Sequence, residues 1–85
     1  MDRDESIRFA TKYLEDLLSF FGINVAVWST VDDEVILLSV PSTSMNSLLI
    51  GKNAEILRCL QHIVTMSLVA KDAELTRVNV DIADY

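Results

Sequence analysis

The stretch Leu48-Leu49-Ile50-Gly51-Lys52-Asn53-Ala54-Glu55-Ile56-Leu57-Arg58-Cys59-Leu60-Gln61 decides how the chain folds. An apolar run ends at Gly51, a lysine and an asparagine follow, and an amphipathic pattern begins. The pattern predicts a short helix capped by Ser44, with Met45, Leu48, Leu49 and Ile50 as its apolar residues. Gly51 ends that helix, because glycine enters the left-handed conformation without steric cost. Asn53 caps a second helix, and Glu55 sits in its first turn, where the helix dipole favours a carboxylate. The stretch therefore reads as helix, four-residue turn, helix. The free backbone N–H groups at the start of the second helix point at the turn. Such an end is a natural seat for a phosphate, and Lys52 adds a positive charge beside it.

Outward from this stretch, the second helix is expected from Ala54 to about Val69. Ile56, Leu57, Leu60, Ile63, Val64, Ser67 and Leu68 form its buried stripe, flanked by Met66 and Cys59. Towards the N-terminus, Asp2 to Phe21 reads as another helix. Its apolar stripe is Ile7, Ala10, Leu14, Leu17, Leu18 and Phe21, with Arg8, Lys12, Glu15 and Asp16 turned away from it. Asp2 or Asp4 caps the start and Gly22 supplies the stop. Ile23 to Thr30 is rich in β-branched residues and predicts a strand. Val31-Asp32-Asp33 predicts a turn, and Glu34 to Val40 a second, antiparallel strand that Pro41 ends. Strict alternation puts Trp28 with Asn24, Ala26 and Thr30, opposite Ile23, Val25 and Val27. Trp28 thus falls on the outer face of the sheet, as a partly exposed packing residue or as an interaction anchor. Lys71-Asp72-Ala73-Glu74 is a polar connection. In the third strand, Thr76 to Ile82, the apolar Val78, Val80 and Ile82 alternate with Arg77, Asn79 and Asp81. That alternation predicts one covered and one solvated sheet face.

The expected order is α-β-β-α-α-β, an α/β fold of one domain, residues 1–85, with the helices on one face of a three-stranded sheet. A chain of 85 residues buries only about 60–65% of its unfolded surface, so its core must be well filled. The hydrophobic share of 51% is enough for that core without a metal or a disulfide. The single cysteine, Cys59, excludes an intramolecular disulfide and a cysteine metal cluster, and suits a reducing cytoplasm. It has no catalytic or ligand partner at a suitable spacing and reads as a small core residue. His62 is the only histidine and reads as a surface residue of the helix. No apolar run is long enough to span a bilayer, and the acidic start is the reverse of a signal peptide, so no membrane insertion is expected. The residues show no nucleophile elbow and no phosphate-binding P-loop, and Asp32-Asp33-Glu34 reads as a solvated turn. Neither an enzyme nor a cofactor is expected, and no catalytic or metal-binding residues are assigned. The net charge of −6 means that any phosphate must be held by a local site against an adverse overall field.

Leu49-Ile50-Gly51-Lys52, followed by Glu55, Leu57, Leu60 and Gln61, resembles the KH-domain signature of the bacterial Jag family of RNA-binding proteins. That signature runs Leu-Ile-Gly-Lys-x-Gly-x-x-Leu-x-x-Leu-Gln. The order α-β-β-α-α-β is that of a type II KH domain, and Asp81 and Tyr85 match the Asp-x-x-x-Tyr segment that closes the last strand in this family. The resemblance implies a cytoplasmic regulator that clamps single-stranded RNA, linked in the family to envelope growth and division. Ile50, Gly51, Lys52, Asn53 and Ala54 would touch phosphates and sugars, with Leu57 and Arg58 beside the groove that takes the bases. Family members usually continue into a second nucleic-acid domain. This sequence stops at Tyr85, as an excised domain or a naturally short protein.

The sequence departs from the signature at Ala54, which stands where the second glycine of the Gly-x-x-Gly loop is expected. Its methyl sits where a nucleic-acid backbone passes closest. Ala54, Glu55 and the acidic balance favour an alternative, in which the same fold serves as a protein-interaction or dimerisation module. Self-association would then use the helix pair or the sheet face bearing Trp28. A basic patch joining Lys52, Arg58 and Lys71 would favour RNA; an apolar patch around Trp28 would favour a protein partner.

Overall fold

The computed structural model describes residues 1–41 and 55–82. Helix α1, Arg3–Ser19, starts at a full capping box. The Asp2 carboxylate accepts the Glu5 N–H at 2.8 Å, and the Glu5 carboxylate accepts the Asp2 N–H at 3.2 Å. The Glu5 backbone hydrogen bond holds the Asp2 carboxyl below its ordinary pKa. The helix closes around Gly22, whose φ is +78°. The Gly22 N–H donates to the Ser19 carbonyl at 3.0 Å and the Ile23 N–H to the Leu18 carbonyl at 3.1 Å. This is a Schellman closure, and Leu18 and Ile23, the pair it brings together, are both buried. The helix is shorter than the expected Asp2 to Phe21. Because the chain turns at this point, Phe21 leaves the apolar stripe and is exposed, as is Phe20.

Strand β1, Trp28–Asp32, pairs antiparallel with β2, Val35–Val40, from Asp32 opposite Val35 to Trp28 opposite Ser39. The hairpin turn is Asp33-Glu34, with φ of 52° and 64°, the two-residue geometry that matches strand twist. Both limits of the first strand differ from expectation. Residues 23–27 are not part of the strand, although Ile23 and Val27 are buried. Pairing stops where β2 reaches Pro41, which has no N–H to offer. The turn begins at Asp33 rather than at the expected Val31, because Val31 and Asp32 are still paired, with Ile36 and Val35.

The second described helix, α2, spans Glu55–Ala70. It leaves through Asp72, which takes φ of 54° in the position glycine usually fills. The Asp72 N–H donates to the Val69 carbonyl and the Ala73 N–H to the Leu68 carbonyl, both at 3.0 Å. Strand β3, Arg77–Ile82, then pairs parallel with β2, Val35 opposite Arg77 through Val40 opposite Ile82. A parallel neighbour requires a crossover, and α2 lies within it. The described fold is mixed α/β, two helices and a three-stranded sheet in the order β1-β2-β3.

The sheet has one covered face. Ile36, Leu38 and Val40 of β2 and Val78, Val80 and Ile82 of β3 are buried there, against Ala10, Leu14 and Leu18 of α1 and Leu60, Val64 and Leu68 of α2. Each fully buried leucine of this set contributes on the order of 1.5–3 kcal/mol. The other face carries Trp28, Thr30 and Asp32, Val35, Leu37 and Ser39, and Arg77, Asn79 and Asp81. The N-terminus is tied to the α2–β3 connection. Ser6, fully buried, donates its hydroxyl to the Asp2 carbonyl at 2.6 Å and accepts the Leu75 N–H at 3.4 Å, while the Glu74 N–H donates to the Met1 carbonyl at 2.9 Å.

Candidate nucleic-acid interface

Helix α2 sets the described part of the site. Its line Leu60, Val64, Leu68 follows four-residue spacing and seats the helix on the sheet and α1. With that line facing inward, Leu57 in the first turn is half-buried against the core and Arg58 beside it is exposed. Glu55 is exposed at the first described position of the helix. Leu57 thus offers an apolar shelf and Arg58 an exposed cation at one end of α2, a pairing suited to a base and a phosphate. The remaining expected site residues, Ile50, Gly51, Lys52, Asn53 and Ala54, lie outside the described residues, as do the expected Ser42–Ser44 loop, the short helix from Ser44 to Ile50 and the Tyr85 of the closing segment.

Three expectations are corrected, and the basic patch that would favour RNA does not join Arg58 to Lys71. The two stand thirteen residues apart on α2 and at its exit, about 20 Å along the axis, and Lys71 lies over the Phe9 ring at 5.5 Å. Cys59 is exposed rather than a core residue. Ile63 is 40% exposed rather than part of the buried stripe. Both belong to a face of α2, with Met66 and Val69, that the narrow 60–64–68 contact leaves uncovered. Glu15 is not a solvated charge. It is half-buried and accepts the Val27 N–H at 2.8 Å.

Trp28 stands on the outer sheet face, as alternation predicts, and is 65% exposed. It faces Ser39 across the ladder, and Leu37 is its diagonal neighbour. The sequence pattern does not disclose Gln61, which structure makes a link between helix and sheet. Its Oε1 accepts the Val80 N–H at 2.9 Å, tying α2 to the edge of β3. The only available signal is the glutamine ending the Leu57-x-x-Leu60-Gln61 pattern, a polar residue next to a buried one.

Among the described residues no cluster of His, Cys, Asp or Glu is arranged to hold a metal ion, and no helix is long and apolar enough to cross a membrane. Comparison with protein-family models, with curated proteins and with solved structures finds no match for this chain.

Proposed function

We propose that the chain is a type II KH-like domain, of the kind found in the Jag family, that binds single-stranded RNA through the turn Gly51-Lys52-Asn53-Ala54. The observation that carries this reading is the Leu49-Ile50-Gly51-Lys52 sequence running directly into α2, with Leu57 half-buried and Arg58 exposed in its first turn. The parallel pairing of β2 and β3 across that helix supports it, since the order α-β-β-α-α-β needs such a crossover. In this reading the backbone N–H groups of the turn and the Lys52 ammonium hold phosphates, Asn53 donates a side-chain hydrogen bond, and bases lie against Leu57. Binding needs no catalytic group, no metal and no cofactor. The protein works in the cytoplasm, where RNA is available to it. The net charge of −6 makes the binding weak, and the two cations of the site, Lys52 and Arg58, make it fall with salt at a shallow slope.

The test is a fluorescence-anisotropy titration of a labelled pool of short single-stranded RNA, at low and physiological salt. The Lys52→Asp, Asn53→Asp double variant is titrated alongside. Binding by the parent that weakens with salt, and its loss in a folded variant, supports the clamp. Equal binding by parent and variant removes it.

A second reading is favoured by the exposed Trp28 and by the uncovered Ile63, Met66 and Val69 of α2. In it the fold is a protein-interaction or self-association module. Sedimentation equilibrium separates the two: a dimer lost on Met66→Glu with no RNA binding selects the second reading.

A further inference from the structure

A three-stranded sheet has two edges, and at each of them a helix side chain takes one outward N–H. At β3 the outward N–H of Val80 is taken by Gln61 of α2 at 2.9 Å. At β1 the outward N–H of Val27, just before the strand, is taken by Glu15 of α1 at 2.8 Å. Beyond Val27, no described residue pairs with this edge. The two-residue turn makes Asp32 and Val35 a closing hydrogen-bonded pair, so Asp32, Thr30 and Trp28 direct their backbone groups to β2. Ser29 and Val31, in register with Val27, direct theirs outward. An edge of this kind is a template for another strand.

Helix α1 runs beside that edge in the opposite direction. Two contacts fix it: Glu15 at Val27, and Arg3, whose guanidinium meets the Glu34 carboxylate at 3.1 Å. Twelve helical residues span about 18 Å. The seven residues from Val27 to the turn span about 20 Å, so helix and strand stay level over their length. Between them lies a groove of about 360 Å³ lined by Ile7, Arg8, Thr11, Lys12, Glu15 and Ser29.

We propose that this groove binds an extended acidic peptide of a partner protein, which adds to β1 as a fourth strand. The edge groups of Ser29 and Val31 supply main-chain hydrogen bonds, as in other strand additions. Arg8 and Lys12 set the chemistry. They are four residues apart on α1, a rise of about 6 Å. Side chains on one face of a strand repeat every two residues, about 6.6–6.8 Å. Two acidic side chains at alternate positions of the added strand therefore meet the two cations. Lys12 is exposed and contacts only Asp16 at 3.1 Å among its ion pairs, so its ammonium swings to the groove readily. Glu15, occupied by Val27, excludes an acidic side chain at the end of the groove nearest Val27.

The experiment adds a capped six-residue peptide of alternating glutamate and threonine to the 85-residue chain and follows amide shifts by ¹H–¹⁵N correlation. Shifts at Arg8, Lys12, Ser29 and Val31, with slowed amide exchange at Ser29 and Val31, are expected. Ser29→Pro removes an outward N–H and no ladder bond, so it keeps the hairpin and abolishes binding. The Arg8→Glu, Lys12→Glu double variant lies on the helix surface and weakens binding at least tenfold. Any of four results overturns the proposal: no shifts at millimolar peptide, shifts on another surface, unchanged binding by either folded variant, or equal binding of the lysine–threonine counterpart. Shifts at Arg8 and Lys12 with short RNA but not with the peptide also overturn it, and assign the groove to phosphate.

Discussion

The Glu15 carboxylate of α1 accepts the backbone N–H of Val27 at 2.8 Å, linking residues twelve apart across the space between helix and strand. The bond sits where the chain is about to become β1 and where β2 has run into Pro41. In the continued register Val27 falls opposite Val40 and its N–H points away from β2, so Glu15 gives it a partner that the strand pairing does not. With the Arg3–Glu34 contact at the other end of the helix, it aligns α1 along the edge of the sheet.

Glu15→Ala is expected to destabilise the fold by about 1.5–3 kcal/mol, the range for a hydrogen bond to a charged group. Glu15→Gln keeps an acceptor oxygen and costs less than half of that. Urea unfolding of the two variants checks the order. Equal midpoints for parent and Glu15→Ala would show that the bond contributes nothing.

The Asp2 cap carries a pH dependence of definite sign. Its pKa is lowered from the model-compound value of 3.8 in the folded state, by the Glu5 backbone bond first. A carboxylate with a depressed folded pKa contributes stability above its unfolded pKa and loses it as pH falls through the folded value. Stability from this cap is therefore full above pH of about 4 and fades below it. Asp2→Asn keeps a capping oxygen but does not titrate. Thermal unfolding from pH 5 to pH 2 is expected to show a shallower acid decline for Asp2→Asn than for the parent.

The hairpin turn places Glu34 at φ of 64°, where a side chain is strained. Glu34→Gly gives the Asp-Gly pair that this turn favours. The loss of the exposed Arg3 contact offsets part of the gain, since such pairs are worth at most about 1 kcal/mol. A net stabilisation of about 0.5–1 kcal/mol is expected, read as a rise in Tm of a few degrees. Arg3→Ala measures the ion pair by itself.

Much of the fold is legible in local sequence. Asp2 and Glu5 spell the capping box, Gly22 marks the helix stop, and Val78, Val80 and Ile82 alternate with polar residues into a buried face. What is not legible depends on partners far along the chain. Nothing local to Ile23–Val27 says that its ladder partner ends at Pro41, so the β-branched run overstates β1. Nothing local to Glu15 or Gln61 says that each accepts a strand N–H, because the signal is one side chain reaching a backbone in another element. Ile63 fits helical periodicity as well as Val64 does. Only the narrow contact of α2 with the sheet and α1 leaves Ile63 and Cys59 outside. Of the candidate RNA site, the structure describes Leu57 and Arg58, and the turn expected at Gly51-Lys52-Asn53-Ala54 lies outside the described residues.

Ala54 tests the RNA reading from the side of its departure from the family pattern. In the proposed clamp, Ala54→Gly removes a methyl from the place where the RNA backbone would pass closest. RNA affinity is expected to rise about fivefold, equivalent to about 1 kcal/mol, with the salt slope unchanged because no charge is altered. Anisotropy titrations at three salt concentrations check both parts.

The most direct measurement maps the contact. The ¹⁵N-labelled chain is titrated with an eight-nucleotide oligouridine at low salt, and each amide shift is followed. The RNA reading predicts that the largest shifts fall on Gly51, Lys52, Asn53, Ala54, Leu57 and Arg58, and that they collapse in the Lys52→Asp, Asn53→Asp variant. Shifts confined to other surfaces, or no shifts at millimolar RNA in the folded protein, would contradict it.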